Sequence, residues 1–330
     1  MRTTLISSAV ALAGCGNSLP PAGSCDVAAS GDTPTVDSVA LPNASSAFYD
    51  DLSFAPLLGK IVAAPEGAGR AYLVDPATMA AVAIDVSRGV GSADASATTI
   101  YAADRGADSI LGYEIASGAM VAMHALSGSP DYVRVAPTTG EVWVTIPGRN
   151  RLEILDGATL QAAGSVTLPA PPEGLTFDDA GRAYANANGS VVAVDVARRV
   201  VVGEWNTGCG ISHGFPQIDL AYGLAFGGCR ANGGVGVATI DGELRAGYEA
   251  GGGSAVLAYD HVRHHLYVHG DPSGTLSILA VCSDGELAEL ARAPLPNVGG
   301  HAAVTDGGGR VWIANPDTGG LTRITDPFAN

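Results

Sequence analysis

Short apolar runs of four to seven residues, closed by Gly, Asp, Pro or Thr, recur along the chain from about residue 35. They are rich in Val, Ile, Tyr and Trp, which at that length predicts strands. No stretch keeps a helical apolar period over three turns. The recurring unit is a run, a Gly/Asp turn, a second run holding an aromatic, a third run ending in an acid, and a fourth run. The second runs fall at 59–63, 99–102, 140–144, 181–185, 223–226, 265–268 and 309–313, seven copies about 40 to 45 residues apart. That is the period of four-stranded propeller blades. All but the first copy carry the aromatic. The acids Asp75, Glu114, Asp156 and Asp195 end the third runs at nearly the same period. Each precedes a turn, where a side-chain carboxylate can accept from nearby backbone N–H groups.

The pattern predicts an all-β chain, a seven-bladed β-propeller of four-stranded antiparallel blades over residues 35–330. A single small sheet has two apolar faces and cannot bury both alone; a closed ring buries them and leaves only short edges. Forty-five glycines suit the many tight turns this requires. The last unit, 298–327, holds about three runs. The apolar run at 35–41 is therefore expected to supply the outer strand of the last blade. The aromatics Trp143, Tyr184, Tyr267 and Trp312 sit at equivalent blade positions and read as packing residues.

The first residues change the picture of location. Arg2 is the only charge before an apolar run from Leu5 to Ala13, broken by Ser7 and Ser8. The run is about half of the ~20 residues that span a bilayer, and no later segment is long enough to do so. Leu12-Ala13-Gly14-Cys15 resembles the bacterial lipobox: an apolar residue, two small ones that fit a narrow peptidase site, and a thiol to carry the lipid. An ordinary signal peptide with an incidental cysteine is the alternative. The reading is a lipoprotein signal peptide over 1–14, lipidation of Cys15, and a Ser/Pro/Gly/Ala-rich tether over 15–34. Gly16, rather than an Asp, follows the cysteine. By resemblance to Gram-negative lipoproteins this favours the outer membrane, with the chain lipid-anchored in the cell envelope and facing the periplasm or exterior.

Hydrophobic content is 47%, ordinary for a globular chain, and the net charge is −16. Lys60 is the only lysine. That balance argues against nucleic acid, whose affinity comes mainly from Lys and Arg at phosphates. Besides Cys15 there are four cysteines, Cys25, Cys209, Cys229 and Cys282. An even set in an oxidising compartment reads as two bridges, with three pairings open.

Cys209-Gly210-Ile211-Ser212-His213-Gly214, the run from Ile218 to Cys229, Val256-Leu257-Ala258-Tyr259-Asp260 and His265-Leu266-Tyr267-Val268 resemble the repeats of the YVTN-type β-propeller family, in the WD40/YVTN-like class. Many of its members are exported bacterial lipoproteins. The likeness spans about residues 203–268; the first half matches in rhythm. Phe215-Pro216-Gln217 lengthens the family's run after His-Gly, which suggests a bulge. Ala255 stands where the family often has Asp. The resemblance implies a Cys209–Cys229 bridge, and the blade register agrees: one cysteine precedes the first strand of the fifth blade and the other follows its second. Cys25–Cys282 is the leftover pair, or Cys25 is free in the tether.

In a propeller the first strands line the central channel and their leading residues reach its mouth. In register these are Asp131, Glu173, His213, Ala255 and His301. Two carboxylates and two imidazoles are usual divalent-metal ligands and could do acid–base work; equally, they could solvate a wet channel. The cluster His261, His264, His265 and His269 falls on and after a turn. His265 and His269 are about 13 Å apart along one strand face, too far to share an ion. His261 with His264 or His265 could form a surface site, or the turn is simply exposed.

No Gly-x-Ser-x-Gly elbow, Cys-x-x-Cys, His-Glu-x-x-His or phosphate-binding glycine loop occurs. The function expected is thus a non-catalytic binding or scaffold propeller for an unidentified protein or small-molecule partner, with no cofactor. The alternative is a metal-assisted hydrolase or lactonase using a divalent ion at the mouth formed by Asp131, Glu173, His213 and His301. A quinone-cofactor dehydrogenase usually needs eight blades and a longer chain.

Overall fold

A computed structural model describes residues 32–230, 233–251, 253–270, 274–295 and 301–328. The expected signal peptide, Cys15, Cys25 and most of the tether lie outside the described residues. Seven four-stranded antiparallel sheets follow one another along the chain. Blade 1 runs from Leu52–Ala55 to Ala81–Asp85, blade 2 from Val90–Ala95 to Met120–Ala125, and blade 3 from Val133–Val135 to Ala162–Thr167. Blade 4 runs from Pro172–Phe177 to Val200–Asn206, blade 5 from Ser212–Asp219 to Leu244–Glu249, and blade 6 from Ala255–Asp260 to Leu287–Pro294. Blade 7 takes three strands from the end of the chain, Ala303–Thr305, Arg310–Asn315 and Gly320–Thr325, and its outer strand, Thr35–Val39, from the beginning.

That closure is the one expected from the missing fourth run. Thr35 pairs with Thr325 and Val39 with Leu321. Arg323 clamps the seam through Asp37, with Nη2 2.6 Å from the carboxylate. Beyond the strand, the Ala47 N–H donates to Pro316 O at 3.0 Å and the Tyr49 hydroxyl donates to Gly319 O, binding the link between blades 7 and 1 to the blade it leaves.

The core is divided as the ring demands. Seven buried apolar clusters occupy the seven blade interfaces, including the one between blades 7 and 1. Inner strands such as Val90–Ala95 and Ala255–Asp260 are buried throughout, whereas the outer strand Met120–Ala125 is largely exposed. Trp143, Tyr184, Tyr267 and Trp312 are each at most 1% exposed and each sits in a different interface cluster. They pack neighbouring blades together, as their shared position predicts. The acid at the end of the third strand also acts as expected in three blades. Asp75 accepts from the N–H of Ala77 and Thr78, Asp156 from Ala158 and Thr159, and Asp195 from Arg198. Glu114 instead accepts from the Ser117 hydroxyl.

Cys209 and Cys229 are joined, with Cα atoms 5.0 Å apart. Cys282 is also disulfide-bonded. The bridge between Cys209 and Cys229 closes a separation of 20 residues, worth about 3 kcal/mol by loop-closure entropy. Replacing both cysteines by alanine is expected to lower the melting temperature by about 5 °C for a chain of this size. An unchanged melt by calorimetry would show that the interface clusters alone hold blade 5.

Candidate functional site

The first strands run from one end of the channel to the other, so the ring has an entry mouth, where they begin, and an exit mouth, where they end. At the entry mouth Asp131, His213 and His301 come together, but around residues that sequence reasoning did not single out. Arg105 is the centre. Its guanidinium reaches Asp131 Oδ1 at 2.8 Å, Glu66 Oε1 at 2.5 Å, and Asp50. His301 Nε2 lies 3.7 Å from Asp50 Oδ1, and its ring meets His213 edge-on with centroids 4.6 Å apart. Phe48 packs on the other side of His301. Glu173 turns to Arg230, 3.9 Å away. Ala255 is fully buried and contributes no polar group.

The signals for the missed groups were present. Asp50 precedes the first strand of blade 1, in the register that picks out Asp131. Arg105 and Arg230 each follow directly on the second strand of their blade, so the loops after second strands deliver cations to the same mouth.

Burial pushes Asp131 up to about 7, against the pull of Arg105, with Asp50, Glu173 and Asp51 adding to the rise. Burial likewise raises Glu173. Burial alone would lower Arg105, yet Asp50, Asp131 and Glu66 hold it above its usual range. The mouth is thus an arginine held by carboxylates beside two imidazoles packed edge-on. Among the described residues only Cys282, Asp284 and Glu286 bring three ligand-type atoms within 4.8 Å of one another. The Cys282 sulphur is committed to a disulfide and is no thiolate ligand. Asp131, Glu173, His213 and His301 do not close to that distance.

Midway along the channel, Arg134 of blade 3 reaches across to Asp51 of blade 1 in a two-pronged pair of 2.6 and 2.7 Å. Ser92 of blade 2 donates to the same carboxylate at 2.6 Å. Phe215 of blade 5 lies on the guanidinium, 4.4 Å from ring centre to carbon, and meets Tyr132 edge-on. Phe215 reaches this point because of the lengthened run after His213: the register of blade 5 slips between His213 and Gln217, the expected bulge. The bulge packs close to blade 4, where a Cβ on Gly174 would lie 2.4 Å from Gly214 O. This bridge between three non-adjacent blades crosses the bore.

The exit mouth is a cavity of about 830 Å³ that extends inward as far as Arg134 and Phe215 and includes none of Asp131, Glu173, His213 or His301. Its walls carry Phe54, Phe177, Phe215 and Tyr259; its polar lining includes Asp94, Asp178, Asp179, Asp219 and His264. Burial pushes Asp94 up to about 6, against Arg134 and bonds from Val135, Ala95 and Ser53. His264 Nδ1 is 2.7 Å from Asp219 Oδ2, the Tyr259 hydroxyl donates to the same oxygen, and the imidazole stacks on Tyr222 at 4.3 Å.

His264 closes the turn between the first two strands of blade 6 with φ +51. The matching turns of blades 1, 3 and 5 have Gly59, Gly140 and Gly223, at φ +65, +73 and +64. A side chain in this region carries a backbone cost that glycine avoids, and here it is held by Asp219. The other members of the histidine cluster are not a surface site. His265 is buried against Asp326 at 2.7 Å and His269 Nδ1 lies 2.9 Å from Thr275 O. Only His261 is exposed.

No protein-family model matches the sequence, and no curated protein does. Solved structures do. Hydrazine synthase of Kuenenia stuttgartiensis superposes with a TM-score of 0.70 at 14% identity, over 87% of this chain and 97% of that one. The WD40 repeats of RRP9 give 0.73 at 10%, over 88% and 97%. A chain of the mitotic checkpoint complex gives 0.71 at 13%, over 100% of both. At such identities the likeness is one of fold: a WD40-like seven-bladed propeller.

The raised Asp131 has a consequence for stability. Its carboxyl titrates at about 7 when folded and near 3.8 otherwise, so between these values the folded state binds the extra proton. This contribution is present below pH ~4 and is lost as pH rises through ~7. Melting should therefore occur at higher temperature at about pH 5 than at about pH 8, and Asp131→Asn should narrow the gap. An identical gap in the variant would assign the pH dependence to other groups.

Proposed function

We propose that the chain is an exported, lipid-anchored propeller of the YVTN type that acts as a non-catalytic binding module, recognising its partner at the exit mouth. The observation that carries the reading is the 830 Å³ cavity in that mouth, within the size range of ligand pockets and set in a rigid ring. The acids and imidazoles expected to do hydrolytic work sit at the opposite mouth. There Arg105 engages Asp131 and Asp50, and Arg230 faces Glu173, which disfavours their use as a metal cradle.

Export is supported from two directions. Leu12-Ala13-Gly14-Cys15 has the order of a lipobox, and a bridge such as Cys209–Cys229 persists in oxidising compartments. A WD40-like ring suits protein recognition, since propellers present a broad, stiff face, although the fold by itself names no partner.

Lipidation is tested by growing a bacterial host on labelled palmitate. The parent chain should be labelled and sediment with membranes, and Cys15→Ser should be unlabelled and released. An unlabelled parent would overturn the anchor. Recognition is tested by placing a photo-crosslinking side chain at Val262, 70% exposed on the exit rim, or at Val82, 62% exposed on the outer edge of blade 1. A discrete adduct from position 262 and none from 82 is the expected result. Equal or absent adducts would remove the exit face as the site of protein recognition.

A further inference from the structure

The exit cavity has a chemical bias that narrows what it can hold. Its aromatic walls are joined by carboxylates, and most of its positive charge is already spent. Arg134 is matched by Asp51 at 2.6 Å, and at the rim Asp306 is matched by Arg310 at 2.7 Å. Asp219 is held by His264. Asp178 and Asp179, at the first turn of blade 4, remain without a cation among the described residues. Asp178 is occupied in its own turn, accepting from the N–H of Ala180 and Arg182 and from the Tyr184 hydroxyl; Asp179 is exposed and free of such duties. Asp179 of blade 4 and His261 of blade 6 both line the opening; burial lowers His261, against the pull of Asp219, Asp260 and Asp179.

The aromatic lining is arranged to receive positive charge. Phe215 already carries one guanidinium on its inner face at 4.4 Å. Phe177 packs edge-on against Trp143 with centroids 5.7 Å apart, which holds a second ring at the wall. A cation over an aromatic face gains about 0.5–2 kcal/mol, more when desolvated, and a cleft with acidic walls concentrates cations beyond the bulk. The chain as a whole, at −16, adds to that field.

We propose that the exit cavity binds an organic cation, an ammonium or guanidinium group on an apolar body, with Asp179 drawing it to the opening and the Phe177 and Phe215 walls covering it. This deepens the binding reading above and rests on it. The group could come from a free amine or from a basic side chain of a partner; the chemistry is the same.

The test is calorimetric titration of the intact protein with benzyltrimethylammonium, with its uncharged carbon isostere neopentylbenzene, and with the anion phenylacetate. The cation should bind about tenfold more tightly than the isostere, the anion should not bind, and added salt should weaken the cation. Asp179→Asn, which removes an exposed charge and no hydrogen bond of the fold, and Phe177→Leu should each weaken the cation about three- to tenfold while leaving the isostere nearly unchanged for the first. An acetylated, amidated Ala-Ala-Lys-Ala-Ala peptide separates the sources. Tighter binding of the peptide points to a partner's side chain; tighter binding of the small cation points to a free amine. Equal binding of cation and isostere would overturn the cation assignment and leave the cavity as a binding site. Binding of none of the probes at millimolar concentration would overturn the cavity proposal, while the crosslinks from position 262 judge the wider reading separately.

Discussion

Everything in this molecule depends on the ring being closed. Each blade has two apolar faces, and each face is buried only because a neighbour covers it. Between blades 7 and 1 that cover is the cluster built on Trp312, Ala302, Tyr72 and Ile61. Opening the ring there would expose this surface on both sides at once. The closing element is one short strand, Thr35–Val39, paired to the last strand of the chain and tied by Arg323, Asp37 and Tyr49. Because the strand belongs to blade 7 by hydrogen bonding and leads into blade 1 by covalent continuity, separating the blades must break both kinds of link.

Closure also sets what the channel can be. First strands converge, and in a ring of seven their side chains meet across the bore. In this chain the meeting is charged: Asp51 and Arg134, capped by Phe215. A buried pair of this kind gains little over an apolar filling, but losing one partner leaves an unpaired charge in the interior. Its larger effect is to divide the ring. The entry mouth becomes an arginine-centred network of carboxylates with two imidazoles, and the exit mouth an aromatic and acidic cavity. A ligand in one meets none of the side chains of the other.

Most of the architecture was legible because a blade is a local object. Its strands are joined by tight turns, and the signals for them, Gly59 or Gly140 between the first two strands and Asp75 or Asp156 after the third, lie within a few residues of what they shape. Even the closing strand could be read, since a last unit with three runs needs a fourth. The mouths were legible only in part. Register places Asp131, His213 and His301 together, but the partner that decides their chemistry, Arg105, arrives from a loop after a second strand, and the weak repeat of blade 1 hides Asp50. The bulge at Phe215 could be expected from the extra residues; that it would aim a ring at Arg134 could not, because that contact is set by two other blades. The sequence places His264 in a turn; Asp219, one blade away, draws it into the cavity wall.

The closing strand also governs timing. Asp37 and Arg323 are 286 residues apart, so the contacts that lock the ring are nearly the most distant the chain can make, and contacts of that kind form late. As the chain is made from its N-terminus, Thr35–Val39 must wait unpaired until Gly320–Thr325 has emerged, and no earlier moment offers blade 1 its second neighbour. A nascent chain of this design stays open until its last blade exists.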